Sequence, residues 1–274
     1  MIYCAHGIIK SHFSNKICNK HLVDVCKFKN YLNAKSTKYV SLESALSGAG
    51  DAFTIDDSTY AALEMAKILR EYGHQVTVFI NPYYVEYEVS YWFFLLSYLL
   101  DRNFCADICF EGKQYSCASC KEKNFVRKKL KDITSLLPTE LDRYDYLENI
   151  FKLDLTNIKL PHYLRTFNKS DVLMLKKIGV DVQNHGWTHK QLVGSEFPEI
   201  TNEISMAKNW LADELEITSY YYAVPFGENL PQDSYNFVDI KCWFLQRNDM
   251  AYGLVKENVY NRAIFVPNHV AISV

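Results

Sequence analysis

Apolar positions fall into short runs separated by longer amphipathic stretches. "IYCAHGI" reads as a short first strand and "HLVDVCKFKNYLN" has roughly helical apolar spacing. "YVSLESALSG" predicts a short strand and then a helical turn, with Ser41 as N-cap and Glu43 placing negative charge in the first turn. "AFTID" is apolar throughout and predicts a buried strand. "STYAALEMAKILREYG" is the clearest helix. Ser58 or Thr59 can cap it, Leu63, Ala66, Ile68 and Leu69 follow its period, and Gly73 ends it. "HQVTVFI" returns as a strand. Strand, helix, strand argues for parallel pairing through a right-handed crossover.

The alternation breaks between about residues 84 and 164, where the chain is aromatic, then Cys-rich, then basic ("KEKNFVRKKLKD"), then helix-like. This stretch reads as a mostly helical insertion. After it come a helix ("NKSDVLMLKKIG"), a strand ("VDVQNH"), a long helix ("FPEITNEISMAKNWLADEL"), a strand ending abruptly ("ITSYYYAVPFG") and a last strand ("RAIFVPNHV"). Strands alternating with helices over this length predict a (β/α) barrel or a doubly wound sheet.

Composition narrows the picture. With 274 residues, nearly half of them apolar, the chain can bury a sizeable core. A formal net charge of −2 gives no pull toward nucleic acid or membrane. "YWFFLLSYLL", the most apolar run, is shorter than the roughly 20 residues a bilayer span needs, so it reads as a core helix. No basic-then-apolar leader opens the chain, and a cytoplasmic location is expected. Eight cysteines in that setting suggest reduced thiols or a metal site. Four of them, Cys105, Cys109, Cys117 and Cys120, cluster closely enough to hold a structural Zn²⁺, although reduced thiols fit their irregular spacing better. The basic run Lys121–Lys131 reads first as a solvated helix face and second as a docking site for an acidic partner.

Two pairs carry candidate chemistry. Asp56 and Asp57 are adjacent carboxylates at the end of "AFTID", and His185 and His189 flank the loop after "VDVQN". In a parallel α/β fold such strand ends share one face, where active sites gather. One Asp and two His make a two-His-one-carboxylate set suited to a divalent cation with open positions. Successive strand residues point to opposite sides, so Asp56 and Asp57 converge only if the chain turns there. One could then bind a metal while the other stays free as a base.

"FTIDDS", "HGWTH", "AVPFG" and a late "VPNH" resemble, in order and spacing, the motifs of the polysaccharide deacetylases of carbohydrate esterase family 4, the NodB-homology fold. The family patterns are Thr-Phe-Asp-Asp-Gly, His-Ser/Thr-x-x-His, Arg-x-Pro-Tyr/Phe-Gly and Leu-x-His. The resemblance spans nearly the whole chain. It implies a distorted (β/α) barrel forming one deacetylase-like domain over residues 1–274, with the insertion at about 84–164. It implies Asp56 as general base, Asp57, His185 and His189 as ligands of a divalent metal, with Zn²⁺ expected, and His269 as general acid. The implied reaction is removal of an N-acetyl or similar acyl group from an amino sugar. The expected substrate is an acetylated amino sugar or polysaccharide precursor in surface polysaccharide synthesis or modification, with no nucleic acid partner and no membrane span.

The departures are specific. Ala223 stands where many members carry the Arg that orients the base, and Arg262, near the last strand, is the candidate substitute. Ser58 replaces the first motif's Gly, Gly186 the second motif's Ser/Thr, and Pro267 the last motif's Leu. The missing Arg motivates an alternative, a catalytically inactive glycan- or protein-binding member of the fold. A non-haem iron oxygenase with the same ligand set ranks last, because there the carboxylate lies close in sequence to the first His. The aromatic strand around Tyr220–Tyr222 could form a sugar-stacking wall, but a partly buried strand is the preferred reading.

Overall fold

The computed structural model describes residues 1–10, 21–102, 107–236 and 239–267. Its centre is a sheet of nine strands: β1 (Ile2–Ala5), β2 (Ala52–Asp56), β3 (Thr77–Ile80), β4 (Asp181–Asn184), β5 (Tyr221–Ala223), β6 (Cys242–Leu245), β7 (Gly253–Lys256), β8 (Val259–Asn261) and β9 (Ala263–Ile264). The spatial order is β7-β8-β6-β5-β4-β3-β2-β1-β9, and every pair is parallel except β7 with β8. Both faces of β2 and β3 are buried along their whole length, which explains why they are apolar runs without alternation.

β8 and β9 are two halves of one segment, and this closes the sheet. Val259–Asn261 lies beside β6, pairing Trp243 with Val259 and Leu245 with Asn261. One residue later Ala263–Ile264 lies beside β1, pairing Tyr3 with Ala263 and Cys4 with Ile264. The segment therefore touches both ends of the parallel array, and the array becomes a distorted barrel. Arg262 sits at the switch. Its N–H donates to Leu245 O at 2.9 Å, and Phe265 N donates to Cys4 O at 2.8 Å.

The helices pack outside. Thr59 caps the helix Tyr60–Glu71, its Oγ1 accepting from Ala62 N at 3.2 Å, and that helix buries Ala62, Leu63, Met65, Ala66 and Leu69. Ser58 serves a different purpose, described below. "YVSL" makes only an isolated bridge, Val40 to Ala52, before the short helix Leu42–Leu46 that Ser41 caps. The strand Cys242–Leu245, and the β7 and β8 pair beyond it, had no expected counterpart in the sequence. The strands are only three or four residues long, too short for a period to register.

The stretch after β3 carries the helices Pro82–Tyr87, Trp92–Asp101, Cys120–Ser135 and Glu140–Phe151, and also an antiparallel hairpin, Asp107–Phe110 with Lys113–Ser116. These elements share an apolar cluster of their own, built on Trp92, Leu96, Leu99, Val126, Leu130 and Leu147. "YWFFLLSYLL" is its central helix, buried on nearly all sides, and no helix among the described residues is long and apolar enough to cross a membrane. Cys109 and Cys120 are exposed and Cys117 is buried. Among the described residues they belong to no group that could share an ion, and Cys105 lies outside those residues.

The Arg262 side chain is fully buried and meets one carboxylate, Asp56. Removing one partner of such a pair strands the other charge, so Arg262→Ala is expected to lower the unfolding free energy by about 3–5 kcal/mol. Chemical denaturation measures it, and Asp56→Asn in the Arg262→Ala background should recover part of the loss.

Candidate active site

Asp56 ends β2, and the next residue turns out of the strand. Asp57 has φ 73°, in the left-handed region that costs a non-glycine residue. That rotation brings two neighbouring carboxylates to the same cavity, where a continuing strand would have sent them to opposite faces. Ser58 then locks the turn. Its N–H donates to Tyr91 Oη at 2.8 Å, and its Oγ accepts from Asn81 N at 2.9 Å.

His185 and His189 enter from the end of β4. The ligand-type atoms of Asp57, His185 and His189 all lie within 4.8 Å of one another, and all three residues are buried. Asp57 Oδ1 is 3.3 Å from His189 Nε2 and 3.8 Å from His185 Nε2. His185 Nδ1 lies 2.8 Å from Ala223 O, and a carbonyl can only accept, so the proton is on Nδ1 and the Nε2 lone pair faces Asp57. Burial lowers His185, and burial followed by the neighbouring His185 lowers His189 well below the ordinary value, so both rings are neutral, as ligands must be. Among the described residues, Asp57 Oδ1 is buried with no hydrogen-bond donor. A carboxylate oxygen facing the His185 lone pair and the neutral His189 ring, whose Nδ1 has no partner among the described residues, fits a divalent cation.

The loop between the histidines lacks the family's Ser/Thr, and other groups brace it. Gly186 N donates to Asn184 Oδ1 at 2.7 Å, and Asn81 Nδ2 donates to His185 O at 2.6 Å and Gly186 O at 3.0 Å. Glu203 accepts from Thr188 N at 2.9 Å and Thr188 Oγ1 at 2.8 Å. Gly186 has φ +83°, and a Cβ there would come within 3.1 Å of Tyr222 Oη, so this tyrosine fills the space of the missing side chain.

Arg262 supplies the guanidinium absent at Ala223. Its Nη1 donates to Asp56 Oδ1 at 2.7 Å and its Nη2 to Asp56 Oδ2 at 2.6 Å, a bidentate fork. Thr54 Oγ1 accepts a further bond from Nη1 at 3.0 Å. Burial alone would raise the Asp56 carboxyl, but the Arg262 charge overrides it and holds Asp56 well below the usual carboxylate range. Among the described residues Asp57 has no such guanidinium partner. Burial, then the Asp56 charge, push it up to about 8.

A cavity of about 290 Å³ opens over these groups, lined also by His6, Phe93, Phe226, Arg127, Lys131 and Gln246. His6, just past the end of β1, is the residue the sequence reading passed over. The signal was present, since "IYCAH" ends in a titratable residue just as "FTIDD" does. Burial lowers the His6 imidazole to about 4. His269 lies outside the described residues. Tyr220–Tyr222 do not line the cavity. Tyr222 is buried edge-on against Trp243 at 5.2 Å, and the aromatic walls come instead from Phe93, Phe94 and Phe226.

A parallel-strand barrel with an Asp/His/His cluster at its strand ends, and a second carboxylate beside it, defines a hydrolase-type centre. The chain belongs to the polysaccharide deacetylase family, whose model matches residues 51–236, well over half its length. No curated protein sequence matches it. Solved structures share the fold at low identity. A Streptococcus pyogenes deacetylase, PplD, in complex with acetate is 14% identical with a TM-score of 0.58, covering 98% of this chain and 92% of that one. IcaB from Ammonifex degensii is 12% identical with a TM-score of 0.57, covering 97% and 91%. A de-N-acetylase from Aggregatibacter actinomycetemcomitans is 11% identical with a TM-score of 0.55, covering 97% and 95%.

With no cation bound, Asp57 holds its proton below about pH 8 while both histidines are already neutral. Loading a divalent cation at pH 7 is therefore expected to release about one proton, and affinity should rise with pH and level off above about 8. Calorimetric titration in buffers of different ionisation enthalpy counts that proton. A release that stays the same at pH 9 would contradict this assignment.

Proposed function

We propose that this protein is a metal-dependent deacylase that hydrolyses the N-acetyl, or a similar acyl, group of an amino sugar. The observation that carries the reading is the division of labour between adjacent carboxylates. Arg262 keeps Asp56 ionised, while Asp57 Oδ1 has no donor among the described residues and faces two neutral imidazoles. A divalent cation held by Asp57, His185 and His189, with Zn²⁺ suited to this N/O donor set, would polarise the acyl carbonyl and acidify a water beside it.

The chain's own groups do the rest. Asp56 accepts a proton from the attacking water as its oxygen bonds to the acyl carbon. The bidentate fork fixes which way the Asp56 carboxylate faces, so little reorganisation is needed at that step. When the carbon–nitrogen bond breaks, the departing nitrogen needs a proton. His6 lines the same cavity, but burial lowers its imidazole to about 4, so it is neutral near pH 7 and holds no acidic proton for this step; the family resemblance gives that role to His269. The products are a free amine and a carboxylic acid. PplD, a structural relative, holds acetate, the acid that such a hydrolysis releases. Arg262 also answers the departure at Ala223 that motivated a non-catalytic reading.

Asp56→Asn is expected to cut amine release from N-acetylated amino sugars by about 10²–10⁴-fold, the usual contribution of a general base. Cation binding should persist, because Asp57, His185 and His189 remain. Amine release is followed by fluorescamine labelling and cation content by elemental analysis. Unchanged turnover in Asp56→Asn would remove Asp56 from the reaction. No amine from any acetylated amino sugar tested with the Zn²⁺-loaded protein would overturn the proposal.

A further inference from the structure

A hydrogen-bond relay joins the Asp57 turn to the His185 loop, and it passes through the insertion. Ser58 N–H, part of the peptide that follows Asp57, donates to Tyr91 Oη at 2.8 Å. Tyr91 Oη donates in turn to Asn81 Oδ1 at 2.9 Å. Asn81 Nδ2 donates to His185 O at 2.6 Å and to Gly186 O at 3.0 Å, and Asn81 N donates to Ser58 Oγ at 2.9 Å. The direction of these bonds is set by chemistry. The two carbonyls can only accept, so the amide nitrogen of Asn81 faces them and its oxygen faces Tyr91. The phenol gives its one proton to Asn81, which leaves a lone pair for Ser58. Ser58, Asn81 and Tyr91 are all fully buried, so water cannot stand in for a lost member.

The relay fixes what a cation site needs fixed. Asp57 and His189 have φ of 73° and 54°, a region in which non-glycine residues persist only when their surroundings hold them. Because a peptide unit is planar, anchoring Ser58 N–H sets the plane that follows Asp57, and anchoring His185 O and Gly186 O sets the planes that follow His185 and Gly186. Both loops are thereby referred to one amide, that of Asn81. Tyr91 enters from the insertion, immediately before the helix Trp92–Asp101. Its ring stacks on that of Tyr84 with centroids 3.9 Å apart, and Tyr84 Oη donates to Glu140 Oε2 at 2.7 Å. Glu140 is itself paired with Arg143. Phe93, from the same helix, meets the His189 ring at 5.0 Å between centroids. The insertion therefore holds the phenol in place and also packs against a ligand ring.

We propose that Tyr91 is a positioning residue of the cation site. Through Ser58 and Asn81, its phenol holds the Asp57 turn against the His185 loop, so that Asp57, His185 and His189 stand at ligand spacing before a cation arrives. The inference rests on the cation site of the deacylase reading, but its test does not require turnover. Zn²⁺ affinity of the full-length chain, stripped with chelator, is measured by competition with a chromophoric chelator, and His185→Ala reports any Zn²⁺ held elsewhere. Tyr91→Phe keeps the ring and removes the relay, and is expected to weaken Zn²⁺ binding by about 10–100-fold. Ser58→Ala, which removes only the Oγ that accepts from Asn81, should weaken it by about threefold or more and serves if Tyr91→Phe does not fold. Because both substitutions act on one relay, the double variant should lose less than the product of the two effects. Val126→Ala, a cavity in the insertion's apolar cluster, controls for general loosening. It should lower the thermal midpoint and leave Zn²⁺ affinity within about twofold of wild type. Wild-type affinity in Tyr91→Phe or, should that variant not fold, in Ser58→Ala would overturn the proposal. So would an equal loss in Val126→Ala. A wild type that binds no more Zn²⁺ than His185→Ala would remove the cation site and this role together. Tight, Tyr91-dependent Zn²⁺ binding without any amine release would leave this role standing and remove the deacylase reading.

Discussion

The structure depends on one buried ion pair. Arg262 lies where a single segment leaves β6 and joins β1, so its position exists only when the barrel is closed. Its side chain runs inward to Asp56, whose charge would otherwise sit uncompensated in the interior. Closure therefore delivers the counter-ion to the carboxylate, and the carboxylate gives the closing segment a specific partner. The guanidinium lies 5.4 Å from the Phe79 ring centre and 6.0 Å from that of Phe244, so aromatic rings wall the Arg262 side of the pair while Asp56 faces the cavity.

Around this pair the backbone carries strain. Asp57, His189 and Phe226 all have positive φ, at 73°, 54° and 61°, in a region that costs a non-glycine residue about 1–3 kcal/mol each. All three line the same cavity. The hydrogen bonds that hold them, from Tyr91 and Asn81 around Ser58 and from Glu203 around Thr188, come from elements far apart in sequence. Gly227 makes a related allowance. With φ +67°, a Cβ there would lie 2.6 Å from Gln246 O, so only glycine lets the end of β5 pack onto the chain after β6, where Gln246 reaches the cavity.

Much of the fold was legible wherever a segment was long or buried on both faces. "AFTID", "TVFI" and the helix after Asp57 read directly from apolar period and capping chemistry. The short strands after Leu230 did not, because three or four residues carry too little pattern and their strand character comes from neighbours. In the site, Asp56, Asp57, His185 and His189 stood out because adjacent carboxylates and paired imidazoles are costly unless something uses them. His6 did not, since one histidine after a short strand has many ordinary explanations. Lys131 looked like part of a solvated basic face, and helical geometry turned it inward together with Arg127.

The sequence by itself determined which residue types could do the chemistry and in which order the chain presents them. Local pattern and side-chain chemistry travel with the chain and need no partner. The tertiary structure alone decided how Asp56 is oriented. Ala223 contributes only a backbone carbonyl to His185, and the guanidinium arrives from Arg262, roughly two hundred residues after the carboxylate it holds. No spacing rule reaches across that interval, because what joins the two residues is the closure of a barrel, a property of the whole sheet.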